Sequence, residues 1–115
     1  MDKIRYIKLK NDGCFVAQMQ IIWTGDDGNG NESHGIYEPD GYHDVCAAAE
    51  RTIDISKNTQ IPNGAIVQFK AKVIWGKDNT APQKYEYDCL CGGIAEYKIK
   101  GTTLHNSLEL TGYAP

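Results

Sequence analysis

The residues able to do chemistry are few: His34, His43 and His105, the cysteines Cys14, Cys46, Cys89 and Cys91, and a run of carboxylates within residues 26–32. Covalent catalysis needs a nucleophile with a base in reach and a third group to orient it. No motif fixes a partner for any of the histidines, and no spacing sets one beside Cys14. Cys89 and Cys91 are separated by a single residue, whereas zinc-binding pairs want about two to four between them. The expectation is no metal site and no cofactor, with the cysteines as buried or partly buried thiols. Asp26, Asp27, Asn29, Asn31 and Glu32 offer oxygen ligands, but without the spacing or the bidentate terminal glutamate of a calcium loop. They read as a solvated hairpin turn. Paired carboxylates occur only in such loops, so the chain is expected not to be an enzyme.

Residues 98–106, Lys-Ile-Lys-Gly-Thr-Thr-Leu-His-Asn, offer a different kind of chemistry. A strand-like run breaks at Gly101, and the hydroxyls of Thr102 and Thr103 sit directly before Leu104. From residue types alone two readings stand open. Turn threonines commonly cap their own backbone, which would leave Leu104 packed inward. Otherwise the turn is a contact tip, with an apolar side chain and a hydroxyl facing outward together.

The elements that must position this turn follow from length and periodicity. With 115 residues the chain reads as one domain, residues 1–115, large enough for a core without disulfides. A content of 41% hydrophobic and 23% charged residues suits a globular protein. The net charge of -3 gives no footprint for nucleic acid and no polybasic patch for anionic lipid. No apolar run approaches the roughly 20 residues of a spanning helix. The opening Met-Asp-Lys-Ile-Arg-Tyr-Ile-Lys-Leu-Lys has no long apolar core and no small-residue cleavage site, so it is not expected to be a signal peptide. A cytoplasmic location, a leaderless exit and a trimmed leader all stay open, as does the oligomeric state. Four cysteines are too few for a disulfide scaffold; Cys14 and Cys46 can be a pair or, by default, two separate thiols.

Period-two alternation dominates. Phe15, Ala17, Met19, Ile21 and Trp23 take alternate positions, with Gln18, Gln20 and Thr24 opposite. Ala65, Val67, Phe69, Ala71, Val73 and Trp75 alternate with Gln68, Lys70 and Lys72, and Ala95, Tyr97 and Ile99 with Glu96, Lys98 and Lys100. Such alternation marks strands with one buried face, and it assigns Trp75 to the core side. Shorter strands are expected over residues 3–10, 52–55, 84–88 and 105–110, with breakers between them, among them Glu-Pro-Asp-Gly at 38–41. Most tyrosines, Tyr37, Tyr42, Tyr85, Tyr87, Tyr97 and Tyr113, read as strand material. The one helical candidate is residues 44–51, marginal at that length. Seven or eight short strands imply an all-β, antiparallel, immunoglobulin-like β-sandwich of two sheets. If successive strands run up and down, the segments 11–14, 46–50, 76–82 and 101–104 gather at one end. Segments 25–32, 56–64 and 89–93 gather at the other.

Three blocks of the sequence resemble a known family. Residues 13–23, Gly-Cys-Phe-Val-Ala-Gln-Met-Gln-Ile-Ile-Trp, resemble the strand opening the C-terminal β-sandwich of the cholesterol-dependent (thiol-activated) cytolysins. Residues 51–73 resemble the segment that follows, and residues 97–110, with Gly-Thr-Thr-Leu, resemble its closing strands. The resemblance implies a non-enzymatic module that stands on a sterol-containing membrane by its tip loops. Its sterol-recognition pair falls on Thr103 and Leu104, and two further membrane-contact positions fall on Cys14 and Ala48. Gly101, Thr102, Gly76 and Lys77 fall in the tip loops. The family's tryptophan-rich loop is replaced by Val-Ile-Trp-Gly-Lys-Asp-Asn-Thr-Ala-Pro-Gln, so the resemblance does not extend to pore formation. The alternative partner is a glycan or a protein, bound by a lectin-like sandwich that has lost the membrane role.

Overall fold

The computed structural model describes residues 1–39 and 44–115. Tyr42, His43 and the second half of the Glu-Pro-Asp-Gly turn lie outside the described residues. Ten strands are present among the described residues: β1 (Lys3–Ile4), β2 (Tyr6–Asn11), β3 (Ala17–Asp26), β4 (Glu32–Tyr37), β5 (Asp44–Val45), β6 (Glu50–Asp54), β7 (Ile66–Val73), β8 (Asn79–Tyr87), β9 (Ile94–Gly101) and β10 (Asn106–Ala114). One sheet has the order β1-β8-β7-β3-β4, with β5 also on β3; the other has the order β10-β9-β2-β6.

The core lies between the sheets, where the alternating residues place it. Ala17, Met19 and Ile21 of β3 and Val67, Phe69 and Ala71 of β7 face Ile7 and Leu9 of β2 and Ala95, Tyr97 and Ile99 of β9, all fully buried or nearly so. Phe69 and Tyr97 meet with ring centroids 5.0 Å apart, inside the range of a favourable aromatic pair. The hydroxyls of Tyr85 and Tyr97 hydrogen-bond to each other at 2.9 Å, so neither buried phenol is left unpaired.

The all-β two-sheet sandwich stands, with ten strands instead of seven or eight and with mixed sheets instead of purely antiparallel ones. β1 runs parallel to β8, and β2 runs parallel to β9. The N-terminal segment leaves the first sheet at Arg5 and enters the second. The N–H groups of Arg5 and Tyr6 both donate to the Gly93 carbonyl at this crossing, at 2.8 and 3.0 Å. A strand that changes sheets need not reverse direction, so the hairpin rule fails there. β4 escapes a pattern search because it is an edge strand with a single buried residue, Tyr37. β8 begins at Asn79, and it accommodates Pro82 at an irregularity between Gln68 and Lys70 of β7, a position where a missing N–H costs no ladder bond.

The helix expected over residues 44–51 does not form. The Asn11 carbonyl accepts the Ala48 N–H at 2.8 Å and the Asn11 N–H donates to Ala49 at 2.9 Å, while Ala49 donates back to Cys46 at 2.9 Å. An isolated two-turn helix is marginal, and these tertiary bonds outcompete it. Ala48 adopts φ +68° in the resulting turn.

Candidate functional site

The loops at one end of the sandwich are built from buried or clasped asparagines. In the first loop Asn11 is fully buried. Its amide nitrogen donates to the carbonyls of Phe15 (2.7 Å) and Val45 (2.9 Å), and its side-chain oxygen accepts the Gly13 N–H (2.9 Å). All the hydrogen-bonding directions of one amide are nearly exhausted, and the 11–14 turn is tied to the segment carrying Cys46 and Ala48. The Cys14 N–H donates to Gly101 (3.0 Å), joining this turn to the end of β9. The Lys10 ammonium donates to the Ala48 carbonyl (2.7 Å).

Beyond β7 the chain reverses at Trp75, which takes φ +59°, a left-handed conformation that side chains other than glycine rarely adopt. Gly76 donates to Val73 (3.1 Å), closing the turn. The Asp78 carboxylate accepts the Val73 N–H (2.9 Å) and faces the Lys70 ammonium at 3.9 Å. The 101–106 turn is closed by Thr102 and His105. Thr102 N–H donates to the His105 carbonyl (2.9 Å), and the His105 N–H donates to the Thr102 hydroxyl (3.2 Å). Gly101, at φ +110°, has no room for a Cβ, which would sit 2.2 Å from the His105 carbonyl oxygen. The two loops then lock together. The Lys77 N–H donates to the Thr103 carbonyl (2.8 Å), and a Cβ on Gly76 would lie 2.2 Å from the same oxygen.

Leu104 is not packed inward: it is 65% exposed, and Cys14 and Ala48 are exposed at the same end. Thr102 spends its hydroxyl on the turn, whereas the Thr103 hydroxyl, half-buried, has no hydrogen-bond partner among the described residues. Gly101 and Lys77 are exposed and Gly76 is half-buried between the loops. Trp75 overturns the periodicity reading. The alternation of β7 ends at Val73, and the left-handed turn swings Trp75 out of the core to 96% exposure. The tip therefore presents an indole that strand alternation had assigned to the interior. A tryptophan next to a glycine just past a strand end is the only sequence signal of this.

Elsewhere the candidate groups serve structure. The carboxylates of Asp26 and Asp27, at the opposite end, accept N–H groups of Gly28 and Asn29 at 2.8 Å each. No group of histidine, cysteine and acidic residues among the described residues converges on a metal position. No helix among the described residues is long and apolar enough to cross a membrane. The shifted ionisations also lie away from the tip. Asp54 is held down to about 2 by hydrogen bonds from the Arg5 guanidinium, with Ser56 adding to the effect, and the two Arg5–Asp54 bonds are both 3.0 Å long. Burial pushes the phenols of Tyr85, Tyr87 and Tyr97 upward.

The fold is similar to that of a β-sandwich domain in several solved toxin structures. Among solved structures, a Gram-negative toxin aligns over 92% of this chain and 22% of its own, at 23% identity and a TM-score of 0.51. Pneumolysin aligns over 92% of this chain and 23% of its own, at 20% identity and a TM-score of 0.50. The separately solved membrane-binding domain of pneumolysin aligns over 93% of this chain and 95% of its own, at 18% identity and a TM-score of 0.46. At these identities the likeness is one of fold, and the chain spans less than a quarter of the length of the first two toxins. No family model and no curated protein matches the chain.

Proposed function

We propose that this chain is a non-enzymatic recognition module that rests on a sterol-containing membrane by its loop tip. The observation that carries this reading is the pairing of Trp75, 96% exposed, with Leu104, 65% exposed, on two loops clasped to each other. Large apolar side chains facing water together mark an interaction site, and tryptophan favours the membrane–water interface. Moving Leu104 into a bilayer gains about 1–2 kcal/mol, and full burial of an indole about 4 kcal/mol. The sum supports weak, reversible attachment, comparable to a single acyl chain. Cys14 and Ala48 extend the same surface. The Thr103 hydroxyl is suited to hydrogen-bond a sterol hydroxyl at headgroup depth, in keeping with the resemblance that puts the family's sterol pair on Thr103 and Leu104.

The lectin-like alternative drew on the polar residues after Trp75. Two of these are committed internally, Asp78 to the Val73 N–H and Lys70, and Asn79 to Asn106, which favours the membrane reading. Flotation with vesicles that contain or lack cholesterol tests it. Trp75→Ala is expected to weaken binding to both, whereas Thr103→Val removes only the preference for cholesterol. Absence of binding to either vesicle at several millimolar lipid would sink the membrane reading, and a hit on a glycan array without lipid would replace it.

A further inference from the structure

We propose that Asn106 is a positioning residue that locks the Trp75 loop and the Leu104 turn into a single contact unit, so that a lipid surface meets both side chains in one fixed arrangement. This rests on the membrane reading of the tip. The Asn106 amide nitrogen donates to the Lys77 carbonyl (2.9 Å) on one loop and to the Thr103 carbonyl (3.2 Å) on the other. Its side-chain oxygen accepts from the Asn79 amide, which also reaches the Asn106 backbone carbonyl at 3.3 Å. The two amide hydrogens are thus spent on different loops, and the oxygen is held from Asn79, where the Trp75 loop enters β8, leaving the side chain one orientation.

The residues flanking Trp75 and Leu104 are the ones engaged. Lys77 uses both of its backbone polar groups across the gap, its N–H on Thr103 and its carbonyl on Asn106. The Thr103 carbonyl accepts from both Lys77 and Asn106. Without the Asn106 side chain two bonds would remain of this set, from the Lys77 N–H to Thr103 and from the Asn79 amide to the backbone carbonyl of residue 106. Each loop would then have to be ordered separately when it meets a surface, and ordering side chains and loops at an interface weakens association.

Asn106→Asp tests the clasp at nearly constant size, since it replaces the two donors by an oxygen facing two carbonyls. Two readouts are made: cholesterol-vesicle affinity, and NMR order parameters of the Trp75 indole N–H and the Leu104 amide without lipid. The expected result is lower order at both sites and about tenfold weaker binding. In addition, the losses caused by Trp75→Ala and Leu104→Ala, coupled in the native chain, become independent in the Asn106→Asp background. Asn79→Ala, which removes the donor to the Asn106 side-chain oxygen and backbone carbonyl but leaves the Asn106 amide bonds to Lys77 and Thr103, is expected to act in the same direction to a smaller extent and serves if Asn106→Asp does not fold. A lowered melting temperature with unchanged order parameters and unchanged affinity overturns the proposal. If the native chain binds no vesicle, the membrane reading fails and the order parameters alone decide the clasp.

Discussion

Replacing Asn11 by alanine should be among the most damaging single changes to the tip, although Asn11 itself never meets solvent. The substitution deletes three hydrogen bonds, to Phe15, Val45 and Gly13. Each contributes about 1 kcal/mol net, and each partner left unsatisfied in a buried setting costs more than the bond itself. The loss should therefore reach at least about 3 kcal/mol. With an unfolding entropy of about 2.1 cal/mol/K per residue, the 115 residues convert this to a fall in melting temperature of about 12 °C. Asn11→Asp keeps the acceptor for Gly13 but sets a carboxylate oxygen against two carbonyls, so it should do no better, because a buried charge without a partner is strongly destabilising. Urea unfolding and thermal melts followed by circular dichroism measure both variants. A cost below about 0.5 kcal/mol for Asn11→Ala, the level of an ordinary surface change, would refute the view that this one amide organises two tip loops.

Trp75 and Trp23 should separate in a quenching experiment: acrylamide should reach the indole of Trp75, 96% exposed, and spare Trp23, 7% exposed, and Trp75→Phe should abolish the accessible fraction. Gly76→Ala must force the two loops apart, because the added carbon would sit 2.2 Å from the Thr103 carbonyl oxygen; proton–nitrogen NMR should show shifts at residues 75–77 and 102–106 while the far end is unchanged. Asp54 has a folded-state value of about 2 against an ordinary 3.8, so its contribution is fully present above about pH 4 and is lost as pH falls through about 2. Asp54→Asn should flatten that part of the stability–pH curve in acid unfolding. Tyr85→Phe leaves the buried Tyr97 hydroxyl without its partner and should cost about 1–2 kcal/mol by urea unfolding.

The sandwich was legible because burial in a half-wet strand leaves a period of two. Ala17, Met19, Ile21, Val67, Phe69, Ala95, Tyr97 and Ile99 all fall at every second position of their strands, and all are buried. Loop order was legible for a related reason. Strands that reverse at each turn sort their loops onto two ends, and the bonds from Cys14 to Gly101, Lys77 to Thr103 and Ala48 to Asn11 join the four expected segments at one of them. The alanine run of residues 47–49 misled because helix propensity is local and small. Two backbone bonds from Asn11, distant in sequence, overrule it.

Patterning in the chain was enough for the all-β class, for most of the core and for the grouping of Thr103, Leu104, Cys14 and Ala48 at one end, since these depend on alternation and strand order. The exposure of Trp75 and the clasps of Asn11 and Asn106 depend instead on a left-handed turn and on hydrogen bonds between segments far apart in sequence. Alternation continues on paper to residue 75, but pairing with β3 stops at Val73, and past that point no neighbouring strand holds a side chain to one face. An indole counted toward the core thus becomes the most exposed large apolar group among the described residues, beside Leu104 and the unengaged hydroxyl of Thr103.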